Sequence, residues 1–240
     1  MCGRYATTRS QADLGELFDA EPVAESPAPS WNVAPTEQVP VIRMSGSRQA
    51  RVADVARWGL RPAWQQGSRP AATMINARAE TVDTLRAFKS SFARRRCLVP
   101  ADGWYEWVRE GKRKQAFYMT PRDASVLAFA GIWSAGAGSE RPGGAGQDPA
   151  DKTLSCSIIT TAALGDLRRV HDRMPLILPR ERWAEWLAGG GESEALLRPL
   201  SLEALAGIEV RPVGAAVGNV RNNGPGLTEP EEAPAEGVLF

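Results

Sequence analysis

The sequence has little of the residue types that build several common kinds of site. Its 240 residues include one histidine, His171, and three widely spaced cysteines, Cys2, Cys97 and Cys156. These residues offer no metal-ligand spacing and no disulfide framework of the kind found in small secreted domains. No stretch approaches the length of a membrane span, and no signal peptide opens the chain. We therefore expect a cytoplasmic protein with no metal, no cofactor and no membrane contact.

The charge balance excludes a protein that binds polyanions through a large excess of positive charge. The 29 basic residues and 28 acidic residues give a formal net charge of +1. A local basic groove remains compatible with this balance, because a partner responds to the arrangement of charge more than to its sum. No internal repeat of fixed period is present, which excludes solenoids and propellers.

Strand signals concentrate in the middle of the chain, and helix signals are scattered around them. CLVP, GWYEWVRE, QAFYMT, VLAFAGIW and TLSCSIITT have strand character, whereas TLRAFKSSFARR and RERWAEWLAGG have helical spacing. Ser10 is a candidate N-cap for an early helix, with Asp13 in the capping-box position. Because strands and helices do not alternate regularly, the pattern favours an α+β fold. Residues 134–152 are expected to form a Gly-rich surface loop, and residues 226–240 an acidic, Pro-rich tail.

Cys2 is the first candidate site residue, because it follows the initiator methionine directly. If that methionine is removed, Cys2 carries a free α-amine beside its thiol, and the two titrate near pH ~8 and ~8.5. The amine can condense with an aldehyde to an imine, and the thiol can then close a five-membered thiazolidine ring on the imine carbon. Ring closure is intramolecular, which makes the effective thiol concentration very high. The alternative is that Cys2 only packs in the core.

Glu106 is the second candidate, because it stands among aromatic residues on a strand. Alternation puts its side chain on the same face as Trp104 and opposite Tyr105 and Trp107. Desolvation there would raise the pKa of the carboxyl group and suit it to donating a proton near neutral pH. The alternative is a half-buried strand with Glu106 on its solvated face.

Two further segments contain polar residues that could contact a substrate. His171 follows a short helix in VHDRMP and lies beside a basic edge that is consistent with phosphate contact. Asn76 and Arg78 share one strand face in INARAET, where Asn could hold a reacting group and Arg could bind an anion. The alternatives are a surface histidine and a polar edge strand.

Taken together and in order, the motifs resemble one known family. They are MCGRYA, WNVAPT, RWGLRPAW, INARAET, RRCLVPADGWYEW, FAGIW, SIITTAA, VHDRMP and RNNGP. This set is similar to the SOS response-associated peptidase family, whose SRAP domain proteins protect abasic sites in DNA. The resemblance runs over residues 2–225, which we expect to form a single domain.

The resemblance implies a curved, barrel-like antiparallel sheet with helices outside it, and binding of single-stranded DNA that contains an abasic site. It implies a covalent thiazolidine crosslink between Cys2 and the aldehyde of the abasic sugar. In that scheme Asn76 holds the Cys2 amine and the sugar, Glu106 assists ring opening and imine formation, and His171 transfers protons. We expect a monomer that associates with the nucleoid when it is bound to DNA.

The resemblance also implies a set of DNA-binding residues with three kinds of role. Phosphate contacts fall to Arg4, Arg78, Arg86 and Arg173, with Thr160 as a weaker candidate. Trp58 and Trp107 would supply stacking surface for bases, and Pro35 and Leu85 would act as wedges between flanking bases.

Two other functions use the same residues. Cys2, His171 and Asn76 are residue types found in papain-like peptidases, so a cysteine peptidase is one alternative. A peptidase thiol, however, needs no free α-amine. The other alternative is a single-stranded DNA-binding module without catalytic activity, in which Cys2 only packs.

Overall fold

The computed structural model describes residues 2–46, 49–62, 74–111, 113–135, 154–190 and 193–231. The expected α+β fold is confirmed. The strands are β1 (Tyr5–Thr7), β2 (Glu21–Pro22), β3 (Ser30–Val33), β4 (Gln38–Met44), β5 (Arg51–Trp58), β6 (Asn76–Arg78), β7 (Arg96–Ala101), β8 (Gly103–Glu110), β9 (Arg113–Pro121), β10 (Leu127–Ser134), β11 (Leu154–Ala162), β12 (Arg173–Pro175) and β13 (Ile208–Val213). The helices are α1 (Gln11–Phe18), α2 (Lys89–Arg94), α3 (Trp183–Ala188), α4 (Ser193–Leu196) and α5 (Leu202–Leu205).

The strands form two sheets, and the larger one curves into a ring. Its order is β12-β11-β10-β7-β4-β5-β2. β5 also pairs with β11, which closes β11, β10, β7, β4 and β5 into a ring of five strands. The second sheet has the order β13-β9-β8-β1-β3. The expected curved sheet is therefore confirmed as a ring-like sheet with a second sheet beside it, rather than as one barrel.

The expectation of an antiparallel sheet needs one correction, because three of the pairings are parallel. β11 runs parallel to both β5 and β6, and β2 runs parallel to β5. Parallel neighbours require a long crossover connection. The chain supplies it by placing β7–β10 between β6 and β11, and β3 and β4 between β2 and β5.

The ring sheet is buried on both faces, which explains its long apolar runs. On β11, Ile158 packs in one cluster with Cys2 and Trp104, while the next residue, Ile159, packs in a second cluster with Trp186. The second cluster lies under α1 and α3. A strand with two buried faces does not alternate between apolar and polar residues.

The helix predictions are confirmed at α1 and are partly wrong at α2. Ser10 caps α1, and its capping box with Asp13 is complete. The helix predicted over TLRAFKSSFARR begins only at Lys89, because no side chain caps it and the preceding residues form separate turns. In one of these turns the Thr84 hydroxyl donates to the Thr81 carbonyl at 3.2 Å.

Parts of two predictions lie outside the described residues. The predicted Gly-rich loop covers residues 134–152, of which only 134 and 135 are described, and Ser134 ends β10. The predicted tail is described as far as residue 231 and includes a 3-10 turn at Pro225–Thr228. Among the described helices, none is long and apolar enough to cross a membrane.

Gly103 is expected to be intolerant of a side chain. A Cβ at this position would collide with the Met119 carbonyl oxygen and the Tyr118 ring of the neighbouring strand. Gly103→Ala should therefore lower the free energy of unfolding by about 1–3 kcal/mol, the usual cost of overpacking. Urea denaturation measures this value. Gly214→Ala is the matched control, because its Cβ meets nothing within 4 Å; equal stability of the two variants would contradict the prediction.

Candidate functional site

Cys2 lies just ahead of β1 with its side chain fully buried and its thiol free. The amino-terminal segment runs beside β8, where the Tyr105 amide donates to the Arg4 carbonyl at 2.9 Å. Burial raises the pKa of the Cys2 thiol well above its usual value, and the negative charge of Glu106 raises it further. A thiol in these surroundings is protonated near neutral pH, unlike the thiolate that a cysteine nucleophile needs.

Asn76 contacts the Cys2 backbone through its side-chain amide. Its Nδ2 donates to the Cys2 carbonyl oxygen at 2.8 Å. β6 holds Asn76 in place through its parallel pairing with β11, where Asn76 lies opposite Ile158. The Asn76 Oδ1 is buried and has no hydrogen-bond partner among the described residues. A buried acceptor without a donor is costly, so this oxygen is suited to receive an N–H or O–H group beside Cys2.

Glu106 is buried in the same region, which confirms the expected elevation of its pKa. The side chain is 3% exposed, on the face of β8 that carries Trp104 inward, so the solvated alternative is wrong. Burial raises the pKa of Glu106 to about 7. The positive charge of the amino terminus acts in the opposite direction on this pKa, and the nearby carboxylate of Asp172 raises it. The group can therefore exchange a proton near neutral pH.

His171 follows the 3-10 helix Gly165–Arg169, as the sequence predicted, and it is partly exposed. Burial lowers the pKa of His171, the positive charge of the amino terminus lowers it further, and Asp172 opposes both. The Nδ1 atom accepts the Arg173 backbone N–H at 2.9 Å and lies 2.8 Å from the Asp172 carboxylate. These two contacts require different protonation states. The lowered pKa favours the neutral ring, which accepts from Arg173 and carries its proton on Nε2.

The four residues named from the sequence thus lie around one point, the amino-terminal segment. Asn76 binds the Cys2 backbone. The charge of Glu106 acts on the Cys2 thiol, and the charge of the amino terminus acts on both Glu106 and His171. The site therefore combines a buried thiol, an acid that titrates near pH 7, an amide with an unused acceptor and a neutral imidazole.

Arg4 and Trp107 meet beside this point. The Arg4 guanidinium donates to Asn32 Oδ1 at 2.8 Å and to the Val217 carbonyl at 3.0 Å, and it lies 6.0 Å from the centre of the Trp107 ring. Trp107 is partly exposed, and the Lys114 ammonium lies 4.7 Å from the centre of its ring. A base that stacks on the face covered by Lys114 must displace that ammonium. Arg78 and Arg86 are exposed on the surface.

Arg173 already holds a carboxylate. Its Nη1 and Nη2 donate to the two oxygens of Glu80 at 2.6 Å and 2.9 Å, and Nη2 also donates to the Thr160 carbonyl at 2.6 Å. An external phosphate must therefore displace Glu80 to bind this guanidinium at the same place. The Thr160 side chain is fully buried. The expectation of a direct phosphate contact by Thr160 is accordingly corrected, since it contacts Arg173 instead.

Trp58 is a second correction, because it is a core residue rather than a stacking surface. Its side chain is fully buried, its Nε1 donates to the Ile75 carbonyl at 2.9 Å, and its ring packs edge-on against Tyr5. The two expected wedges do reach the surface. Leu85 is 48% exposed, and Pro35 is partly exposed in a tight turn.

The sequence analysis missed two acidic residues of the site, Glu80 and Asp172. Glu80 lies two positions after Arg78 in INARAET, so strand alternation places both side chains on the same predicted face. Asp172 directly follows His171, so a histidine–carboxylate pair was visible in the sequence. Among the described residues, no group of three His, Cys, Asp or Glu side chains could hold a metal ion.

Comparison with known proteins gives one consistent family. The SOS response associated peptidase (SRAP) profile matches residues 1–220. The chain is 34% identical over 239 residues to abasic site processing protein YoaM of Bacillus subtilis (strain 168), covering 96% of this chain and 99% of that protein. It is 32% identical over 238 residues to abasic site processing protein YedK of Escherichia coli (strain K12), covering 96% and 100%.

Solved structures share the fold. A Bacteroides thetaiotaomicron protein superposes with a TM-score of 0.78 at 21% identity, covering 96% of this chain and all of that one. A phage-related protein from Bordetella bronchiseptica superposes with a TM-score of 0.65 at 30% identity, covering 88% of this chain and 94% of that one.

Proposed function

The chain belongs to the SOS response-associated peptidase family, and from this premise we propose that it recognises abasic sites in DNA and attaches itself to them covalently. Relatives over the full length are named abasic site processing proteins. The observation that carries the proposal is the surroundings of Cys2. Its backbone is held by Asn76, and a carboxyl group with a pKa of about 7 acts on its thiol.

The covalent step uses the α-amine and the thiol of Cys2 once Met1 has been removed. The opened abasic sugar presents an aldehyde, and the amine adds to its carbon. Loss of one water gives an imine. The thiol sulfur then attacks the imine carbon while its proton goes to the nitrogen, which closes the thiazolidine ring. The net reaction joins protein to sugar with release of one water and needs no oxidant or reductant.

Glu106, Asn76 and His171 have separate roles in this scheme. Sugar ring opening and imine formation each require a proton at a departing oxygen, and Glu106 can supply it because its pKa lies near 7. The Asn76 Oδ1, which has no hydrogen-bond partner in the described part of the chain, accepts an N–H of the amine and orients its lone pair toward the aldehyde. The neutral His171 exchanges protons between sugar hydroxyl and solvent through Nε2.

Single-stranded DNA is the proposed ligand, held by charge and stacking. Arg78 and Arg86 are exposed and can meet phosphates, and Arg4 lies beside the partly exposed ring of Trp107. Arg173 joins them when a phosphate takes the place of Glu80. Aromatic surface with interleaved cations binds a strand without regard to its sequence, which suits a protein that recognises a site lacking a base.

A cysteine peptidase is less well supported. Such an enzyme needs a thiolate paired with a histidine base. Here burial and the Glu106 charge raise the pKa of the thiol. A DNA-binding module without catalytic activity would not need an acid of near-neutral pKa beside the amino terminus.

A denaturing gel tests the proposal. The purified protein is mixed with an oligonucleotide that contains one abasic site, and in parallel with the undamaged oligonucleotide of the same sequence. We expect a slowly migrating band of the protein–DNA adduct with the damaged oligonucleotide and none with the undamaged one. This band should form without borohydride. A protein that binds both strands and forms no such band would be the non-catalytic module. Cleavage of a peptide substrate without any DNA adduct would support the peptidase.

Asn76→Ala should slow formation of the adduct by about 10- to 100-fold, because misplacement of a reacting group is costly even when all reacting groups are retained. A time course at saturating DNA measures the rate constant. Asn76→Asp is the matched comparison, since it keeps an acceptor near the amine but loses the donor to the Cys2 carbonyl. Rates equal to that of the unaltered protein in both variants would remove Asn76 from the reaction.

A further inference from the structure

The hairpin of β8 and β9 carries two like charges in direct opposition. Arg109 on β8 lies opposite Lys114 on β9, and both side chains are exposed. Like charges placed directly opposite each other on a strand pair destabilise the pair. Among the residues that the structure describes, neither side chain has an acidic partner. The hairpin therefore carries an electrostatic cost, which the contact of the Lys114 ammonium with the Trp107 ring offsets only in part.

The same surface presents an aromatic ring between cations. The Lys114 Nζ lies 4.7 Å from the centre of the Trp107 ring, and the Arg4 guanidinium lies 6.0 Å from it. Trp107 and Arg109 are two residues apart on one strand, which puts them on one face about 7 Å apart. Trp107, Arg109 and Lys114 thus form one surface, here called the hairpin surface.

The hairpin surface adjoins the reaction site without being part of it. Trp107 directly follows Glu106, and strand alternation turns the two side chains to opposite faces of β8. Arg4 connects the two areas, because it lies two residues from Cys2 and against Trp107. A DNA strand attached at Cys2 could therefore continue over Arg4 onto this surface.

We propose that the hairpin surface is a second contact surface for the nucleic acid. It takes a nucleotide away from the lesion, with its base against Trp107 and its phosphate between Arg109 and Lys114. An anion between the two cations offsets their repulsion, and an aromatic face accepts any base. The inference rests on the proposed function for the identity of the ligand, and it adds Arg109 and Lys114 as binding residues.

The test compares two double variants that lose the same charge. The first is Arg109→Gln/Lys114→Gln, and the control is Arg122→Gln/Arg180→Gln, which removes two exposed arginines elsewhere. Both are made in a Cys2→Ala background so that binding is reversible. Fluorescence anisotropy measures Kd for two abasic oligonucleotides, one with flanks of about two nucleotides and one with flanks of about ten, within the span of known single-strand sites.

For the long oligonucleotide we expect about tenfold weaker binding by the first variant. The slope of log Kd against log salt should become shallower by about 0.7, the value for one lost phosphate contact on a single strand. The short oligonucleotide should bind the two variants equally. An equal loss on both oligonucleotides, or an equal loss in both variants, would overturn the inference.

Two further measurements separate this inference from the proposed function. Arg109→Gln alone should not lower the midpoint of thermal unfolding, because it relieves repulsion; a clear decrease would show a structural role and contradict the proposal. With Cys2 intact, the adduct should form at the same rate at saturating DNA with or without the hairpin charges. Failure of the unaltered protein to form any adduct would refute the proposed function, whereas the length-dependent binding would still test the surface.

Discussion

Cys2→Ala is expected to abolish the covalent DNA adduct that forms without borohydride. The variant keeps the α-amine and loses the sulfur, so the reaction stops at a reversible imine. Because ring closure benefits from an intramolecular thiol of very high effective concentration, no external thiol at ordinary concentration replaces it. Quantitative denaturing gels should show a decrease of at least about 10³-fold in the stable product.

Treatment with borohydride distinguishes the contribution of the amine from that of the thiol. When it is added during the reaction, Cys2→Ala should again give a band, because the imine is reduced to a stable amine. Cys2→Ser should behave in the same way, since a hydroxyl closes the ring less readily than a thiol. A band from Cys2→Ala without borohydride would place the adduct on another side chain and refute the thiazolidine.

A chain that keeps its first methionine is the complementary control. A bulky residue inserted between Met1 and Cys2 blocks removal of the methionine and leaves the thiol in place with no α-amine on Cys2. This protein should give no band without borohydride, because no thiol stands beside its α-amine to close the ring. Mass spectrometry of the intact protein must confirm that the methionine is present. A stable adduct formed by the extended chain without borohydride would show that the α-amine of Cys2 is not the nucleophile.

The sequence predicts those parts of the site that depend on local pattern. Strand alternation placed Glu106 on the inner face of β8 beside Trp104, and the structure confirms that placement together with the raised pKa. The Ser10 capping box likewise follows from neighbouring residues and is confirmed. In both cases the relevant neighbours lie within a few positions of the chain.

Other parts of the site depend on pairings between distant segments, which periodicity does not reveal. Asn76 meets Cys2 across 74 positions, and Arg173 meets Glu80 across 93. Trp58 was expected to be exposed, yet β5 closes the ring against β11, which buries that side chain completely. A strand that ends at a ring closure has the same local pattern as one that ends at an edge.

Glu106→Gln is expected to slow the reaction by about 100-fold or more, since an acid at a departing oxygen contributes 10²–10⁴. In the unaltered protein the acid form of Glu106 is lost as pH rises through about 7. The rate constant at saturating DNA should therefore fall above that pH, and this decrease should be missing from the slower Gln variant. A decrease of the same size in both proteins would assign it to another group.

The same substitution should stabilise the fold at alkaline pH, which gives an independent measure of the raised pKa. The pKa of Glu106 rises from 4.5 to about 7 on folding because the group is buried. The folded chain then holds more protons than the unfolded chain between these values, so the free energy of unfolding falls as pH rises through this window. At 1.36 kcal/mol per unit, the loss is about 3 kcal/mol.

Glutamine fills the same space and has no charge to bury, so Glu106→Gln should not show this loss. Urea denaturation gives the free energy of unfolding of both proteins at pH 4.5 and at about pH 8. The difference between the variant and the unaltered protein should increase by about 3 kcal/mol in favour of the variant from the lower pH to the higher. An unchanged difference would mean that Glu106 ionises as easily in the folded chain as in the unfolded one. The acid that the proposed chemistry needs near neutral pH would then be absent. A variant that is more stable at alkaline pH and reacts more slowly would instead show that the buried acid at this position lowers the stability of the fold while it supplies the proton for the reaction.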